Sequence, residues 1–329
     1  MKLAIVGCTG LVGNVVLELL EEFSIQISEL TLVASPKSVG KKIFFRNKEI
    51  TVVSIEEALN KELDIAIFSA GGLVSKNWAE KFVYNGTKVI DNSSYWRMND
   101  EIPLVVPEVN GKSISKSTKI IANPNCSTIQ MVVALNNIYL KYGIKRLVIS
   151  TYQSVTGTGA AAVQQMIDER EGKASKKIYP HQIDQNCFPH GGVFLENGYT
   201  TEEIKLVNET QKIFNDPTIR ITATVVRIPV IGGHCESVNI ETLKSFNLDE
   251  VIDILNNSAG VIVQDNPKKF DYPMPITSQY KNDVFVGRIR IDETIKNGLN
   301  LWIVADNLRK GAATNTVQIL DYILQNKLL

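Results

Sequence analysis

The 329-residue chain is poor in cysteine and histidine, has no surplus of either charge and contains no long apolar run. Its four cysteines, Cys8, Cys126, Cys187 and Cys235, stand far apart with no Cys-x-x-Cys pair. That spacing is neither a zinc framework nor the disulfide density of a secreted domain, so no metal is expected. Lysine plus arginine and aspartate plus glutamate balance at 35 each. No global field therefore draws the chain to nucleic acid or acidic lipid, and no basic block interleaved with aromatics is present. No apolar run approaches the ~20 residues that span a bilayer. The N-terminal Met1-Lys2-Leu3-Ala4-Ile5-Val6-Gly7 reads as a short strand rather than a signal peptide. The expectation is a cytoplasmic protein with reduced thiols and neither nucleic acid nor membrane as partner.

What is present is an alternation of short apolar runs with helical patterns over residues 1–125. Strands are expected at 3–6, 30–34, 65–69, 88–91 and 119–122, with helical segments at 11–20, 55–59 and 78–84. Continuous apolar strands alternating with helices imply a parallel sheet covered on both faces. The fold class is α/β, with a Rossmann-like, doubly wound nucleotide-binding domain over 1–125. From 126 to 305 the pattern changes to longer β-rich runs at 146–152, 220–226, 237–243, 284–291 and 300–305. Helices are expected at 160–171 and 202–214. Several strands follow one another without a helix, which predicts an α+β domain with a mixed sheet. The end of the chain, 306–329, is helical, with Val317, Leu320 and Leu324 on one face, and is expected to complete the first domain.

Gly7-Cys8-Thr9-Gly10-Leu11-Val12-Gly13 follows the first strand and opens the first helix. Glycines at this junction let the backbone turn tightly and approach a pyrophosphate lying on the helix N-terminus. The second strand ends Val33-Ala34-Ser35-Pro36-Lys37-Ser38, without the acid that holds the ribose hydroxyls of NAD. Lys37 with the hydroxyls of Ser35 and Ser38 suits a 2′-phosphate, so the cofactor expected is NADP.

Cys126 lies in Asn123-Pro124-Asn125-Cys126-Ser127-Thr128, where a strand-like run stops and a helix-like run begins. The N–H groups of a helix start favour thiolate over thiol, which suits a nucleophile. Of the three histidines, His234 follows a strand and a Gly-Gly bend, a suitable place for a proton-transfer group. A structural imidazole fits that position equally well, and His181 and His190 read as surface residues. Gln153 ends a strand before a glycine-containing loop and can orient a substrate without changing charge. Arg227 and Arg97 carry planar forks suited to carboxylate or another anion.

Seven stretches in order, GCTGLVG (7–13), DNSSYWRM (91–98), PLVVPEVN (103–110), NPNCSTIQ (123–130), TYQSVTGTG (151–159), RIPVIGGHCES (227–237) and DNLRKGAA (306–313), resemble the aspartate-semialdehyde dehydrogenase family over essentially the full chain. The resemblance implies NADPH-dependent reductive dephosphorylation of L-aspartyl-4-phosphate to L-aspartate-4-semialdehyde, in amino-acid biosynthesis from aspartate. It also implies a homodimer built on the 126–305 domain. Carried over position by position, Cys126 is the acyl-forming thiol, His234 the acid/base and Gln153 the group that orients the acyl. Arg227 meets the substrate α-carboxylate and Glu202 the α-amino group, while Lys205, Arg97 and Asn125 hold phosphate. Gly7, Thr9, Gly10, Leu11, Val12, Ser35, Lys37, Ser38, Thr156, Gly157 and Asn307 fall at cofactor positions. In the implied mechanism a protonated His234 supports the thiohemiacetal oxyanion. Lys37 stands where arginine is frequent in the family, Gly232 where a larger residue is, and Cys235 where serine is; the last two are expected to loosen the bend before His234. Phosphorylating dehydrogenases of glyceraldehyde phosphate or acetylglutamyl phosphate are the nearest rivals, and the amino-acid-binding set Arg227, Glu202 and Gln153 argues against both.

Overall fold

Short runs of buried apolar residues become strands, and the runs that repeat every three to four residues become the helices covering them. The computed structural model describes residues 1–329. They divide into two units, Met1–Pro124 with Ala312–Leu329, and Asn125–Gly311.

In the first unit the chain runs through β1 (Lys2–Val6), α1 (Leu11–Glu22), β2 (Glu29–Val33), β3 (Lys42–Phe45), β4 (Lys48–Thr51), α2 (Ile55–Leu59), β5 (Ile65–Phe68), α3 (Gly72–Tyr84), β6 (Lys88–Asp91), α4 (Pro107–Asn110) and β7 (Ile120–Ala122). The main sheet has the order β2-β1-β5-β6-β7 and every pairing is parallel. Its strands are buried on both faces: Ile65 to Phe68 are all inaccessible, as are Leu3 to Ile5. Strand order reverses at β1, with β2 on one side and β5 on the other, so the glycine turn after β1 stands at the topological switch point.

The hairpin β3–β4 was not expected from the sequence. Its two turn residues, Arg46 and Asn47, both have positive φ (46° and 62°), as a two-residue hairpin requires. Arginine is not a usual residue there, and long-range bonds hold it: its Nη2 donates to the carbonyls of Leu20 and Ile25, each at 2.8 Å. Helix α3 begins at Gly72, six residues before the expected start, because its first turns bury only Ser75 and carry no apolar repeat.

The chain returns to this unit at Ala312 rather than at 306. Residues 306–311 are held in the second unit, where the Asp306 carboxylate accepts the backbone N–H groups of Tyr280, Leu308 and Arg309 at 2.8–3.1 Å. A short π-helix at Arg309–Ala313 leads into the C-terminal helix Thr314–Gln325. Val317, Ile319, Leu320 and Ile323 of that helix are inaccessible and pack with Val16, Leu19 and Leu20 of α1. Each contributes about 1.5–3 kcal/mol of apolar burial. Leu324, expected on the same face, packs on the edge of that core.

The second unit contains α5 (Cys126–Tyr142), β8 (Ile144–Gln153), α6 (Ala160–Arg170), α7 (Thr201–Phe214), β9 (Arg220–Arg227), β10 (His234–Thr242), α8 (Leu248–Asn256), β11 (Val261–Val263), α9 (Pro275–Ser278), β12 (Val284–Asp292) and β13 (Gly298–Ala305). Its sheet has the order β11-β12-β13-β10-β8-β9, parallel at the two outer pairs and antiparallel between them. The mixed sheet is the one the sequence predicts. Helix α5 packs across β8, β10, β12 and β13. No helix of the protein is long and apolar enough to cross a membrane.

Candidate active site

The turn after β1 accepts only glycine at two places. Gly7 has φ +95°, and a Cβ on it would lie 2.4 Å from the Ser69 carbonyl oxygen. A Cβ on Gly13 would lie 2.3 Å from the Gly7 oxygen. Gly10 precedes α1 with no side-chain cap, and the first turn, with Leu11 and Val12, carries no acid. The first N–H groups of that helix therefore have neither an intrahelical partner nor a capping side chain. Ser35 and Lys37 are exposed in the 3₁₀ turn after β2, and Ser38 is buried there. These features fit the pyrophosphate and a 2′-phosphate of a dinucleotide. Arg97 belongs to the same unit, with Nη2 donating to the Asn92 carbonyl at 2.9 Å.

In the second unit, Cys126 is the first residue of the 17-residue α5 and is partly accessible. Asn125 caps this helix, its Oδ1 accepting from the N–H groups of Ser127 (3.0 Å) and Thr128 (3.4 Å). Two carboxylates of α7 clamp the cap: Glu209 accepts the Asn125 backbone N–H and Glu202 its Nδ2, both at 2.6 Å. Gly311 lies against the thiol residue, since a Cβ there would sit 2.8 Å from Cys126 Cβ.

Three strand ends of the mixed sheet meet around this helix start. Gln153 and Arg227 are paired neighbours at the ends of the parallel β8 and β9, and His234 opens the antiparallel β10 beside β8. Gln153 is buried and its Nε2 donates to the Ser127 hydroxyl at 3.0 Å, one residue from Cys126. Arg227 is buried, donates from Nη1 to the Ser154 carbonyl at 2.7 Å, and lies over the Tyr179 ring. Its Nε has no hydrogen-bond partner.

His234 differs from expectation in its charge. The Ser154 backbone N–H donates to Nδ1 at 3.1 Å, which makes Nδ1 an acceptor and puts the proton on Nε2. Burial, then the nearby Arg227 charge, lowers its pKa to about 3. The resting imidazole is therefore neutral and not the expected imidazolium, because an inaccessible ring beside a guanidinium cannot hold a second proton. Its Nε2 has no partner, and a Cβ on Gly157 would approach it to 3.0 Å and Arg227 Nη1 to 3.1 Å.

The bend before His234 is tight. Gly232 and Gly233 have φ +74° and +75°, and added Cβ atoms would meet Gln279 and Pro275 at 2.7 Å. Gly232 thus enables the turn, contrary to the loosening expected. Cys235 alternates to the other face of β10 and is buried, as is Cys8; burial pushes those thiols up to about 12 and about 11. His181 is exposed, and His190 stacks on Phe194 in a loop.

Glu202 and Lys205, one helical turn apart on α7, form a 2.7 Å ion pair. The structure so joins Asn125, Glu202 and Lys205 in one polar chain. Thr156 Oγ1 donates to Asn307 Oδ1 at 2.9 Å, bringing two cofactor candidates together. Glu209 and the Ser154 N–H were not anticipated. For Glu209 a signal existed, because positions 202, 205 and 209 share a helix face. No sequence signal marks a backbone N–H.

The description "Semialdehyde dehydrogenase, NAD binding domain" matches residues 2–117, and "Semialdehyde dehydrogenase, dimerisation domain" matches residues 135–310. Aspartate-semialdehyde dehydrogenase of Aquifex aeolicus is 52% identical, covering 100% of this chain and 99% of that one. The Legionella pneumophila protein of the same name is 49% identical over 100% of this chain and 97% of its own. Among solved structures, aspartate semialdehyde dehydrogenase II from Vibrio cholerae complexed with ASA superposes with a TM-score of 0.94 at 43% identity, covering 99% of this chain and 98% of that one. With both family domains matched and full-length relatives at this identity, the chain belongs to the aspartate-semialdehyde dehydrogenase family.

Proposed function

We propose that this protein interconverts L-aspartyl-4-phosphate and L-aspartate-4-semialdehyde in a phosphate-dependent, NADP-linked reaction through a thioester on Cys126. The carrying observation is the convergence of Cys126, Gln153, Arg227 and His234 at one helix start and three strand ends. A thiol there can attack an acyl phosphate and expel phosphate, replacing one hard step by two easier ones.

Bound NADPH would supply the hydride that reduces the thioester. Thr9 to Val12 with Gly7 would hold its pyrophosphate, Ser35, Lys37 and Ser38 its 2′-phosphate, and Thr156, Gly157 and Asn307 complete the assigned cofactor set. The absence of an acid at the end of β2 supports NADP over NAD. Gln153 orients the acyl carbonyl, and the Nε2–H of neutral His234 donates to the oxygen as it gains charge. In the reverse direction the same Nε2–H steadies the oxygen of the thiohemiacetal as its hydroxyl proton leaves to solvent and hydride departs. Arg227 binds the α-carboxylate and Glu202 the α-amino group. Asn125 and Lys205 are assigned to phosphate, and Arg97 of the first unit is a further anion ligand. The dimerisation-domain match over 135–310 supports a homodimer.

The test is phosphate- or arsenate-dependent formation of NADPH from aspartate semialdehyde. Turnover that survives Cys126→Ala would overturn the thioester, and a wild type inactive on that aldehyde would overturn the substrate. Titration with NADP and NAD separately decides the nucleotide.

A further inference from the structure

His234 and Glu236 alternate onto the same face of β10, and both are inaccessible. Helix α5 packs against that strand, and its Ser127 and Gln130, three residues apart and also inaccessible, share one helix face. Two bonds already leave this pair toward the site. The Ser127 hydroxyl accepts from Gln153 Nε2 at 3.0 Å, and Gln130 Nε2 donates to the His234 carbonyl at 3.3 Å.

Glu236 sits beside both residues, and its polar neighbours there are uncharged. Neither of its oxygens, nor Gln130 Oε1, completes a hydrogen bond of good geometry. Burial pushes the carboxyl well above the usual carboxylate range and so favours the neutral acid, which has one O–H donor and an accepting carbonyl. Those are the groups its neighbours lack: Gln130 Oε1 can accept the acid O–H, and the Ser127 O–H can be given to the acid carbonyl. A carboxylate would supply no donor to Gln130 and would stand buried without a counter-charge.

We propose that Glu236 is a positioning residue of the thioester site, holding the Gln153 amide through Ser127 and the strand end that carries His234 through Gln130. The assignment rests on the thioester reading of Cys126. It adds a buried acid that never touches substrate yet sets the geometry of both groups that do.

The experiment compares wild type, Glu236→Gln, Glu236→Leu and Ser127→Ala by steady-state kinetics with aspartate semialdehyde, thermal melting and infrared spectroscopy. Glu236→Leu is expected to lower kcat by about tenfold or more, with KM for the aldehyde changed less than about threefold, because Arg227 and Glu202 are untouched. Glu236→Gln, whose amide offers the same donor and acceptor, is expected to recover most of that loss. Ser127→Ala should reproduce part of the fall in kcat, and adding it to Glu236→Leu should cost less than the two separate effects combined. If Glu236→Leu does not fold, Ser127→Ala and Glu236→Gln carry the test.

The wild-type infrared spectrum at neutral pH should contain a protonated-carboxyl stretch that Glu236→Gln removes. Wild-type kcat in a folded Glu236→Leu or in Ser127→Ala, or a Glu236→Gln as slow as Glu236→Leu at unchanged melting temperature, overturns the proposal. A carboxylate band in place of the protonated one does so as well. The infrared reading does not depend on turnover, so a wild type inactive on the aldehyde would sink the substrate while the state of Glu236 is still decided.

Discussion

Cys126 is set apart from the other three thiols by its backbone position at the start of a helix. It opens a capped helix and is partly accessible, Cys187 lies exposed on a loop, and Cys8 and Cys235 are sealed in strand–helix packing. Burial keeps the last two protonated until about pH 11 and about 12. Iodoacetamide at pH 8 is therefore expected to label Cys126 and Cys187 and to spare Cys8 and Cys235 in the folded protein; peptide mass mapping reads this directly. Gly157 makes the same point for approach to the imidazole. Gly157→Ala places a methyl 3.0 Å from His234 Nε2 and 3.1 Å from Arg227 Nη1. It is expected to lower kcat/KM by at least about tenfold with little change in melting temperature, since a small displacement of reacting groups is enough. Wild-type kinetics in that variant would mean that the imidazole Nε2 is not used.

At the scale of elements, α5 and its cap are the part that could be foreseen. Asn-Pro-Asn followed by Cys-Ser-Thr reads as a helix start, and Asn125 does cap it. The clamp on that cap from Glu202 and Glu209 joins residues 77 and 84 positions apart and leaves no local trace. Asn125→Asp separates the two roles, because aspartate keeps the capping oxygen but sets a carboxylate against Glu202 and Glu209. It should destabilise the protein by about 1 kcal/mol or more in urea denaturation, although the isolated cap would be unaffected. A stability equal to wild type would show the clamp to be immaterial. The C-terminal helix was legible both as a helix and as a part of the first domain, and it does close the core against α1. Leu320→Ala, at an inaccessible position, is expected to cost about 2–5 kcal/mol by the same urea measurement. The hairpin β3–β4 escaped notice because Arg46 adopts its turn conformation only through bonds to the distant carbonyls of Leu20 and Ile25.

For the molecule as a whole, the neutral buried imidazole links folding to pH. His234 titrates near 6.5 in the unfolded chain and near 3 in the folded protein. Between those values the unfolded chain binds the extra proton, so stability is full above pH 6.5 and is lost as pH falls toward 3. One proton corresponds to a slope of about 1.4 kcal/mol per pH unit. His234→Asn, which keeps an acceptor for the Ser154 N–H, is expected to flatten the acid limb of the stability curve by up to about that slope. An unchanged slope would show that the imidazole is not held neutral.

The candidate site residues were readable because each sits at a junction with a local signature. A glycine run after a strand, an Asn-capped cysteine, a Gly-Gly bend before histidine and the i, i+3 pair Glu202 and Lys205 are all short-range patterns. The alternation of runs likewise settled two sheets, one parallel and one mixed, because burial on both faces and adjacency without helices are properties of the chain order itself. Charge state and partnership were not readable. That His234 is neutral with its proton on Nε2 depends on a backbone N–H 80 residues away and on an inaccessible setting beside Arg227. That burial favours the uncharged acid at Glu236 depends on the helix packed over it. Ionisation answers to the local dielectric and to distant dipoles, and only the folded packing creates either.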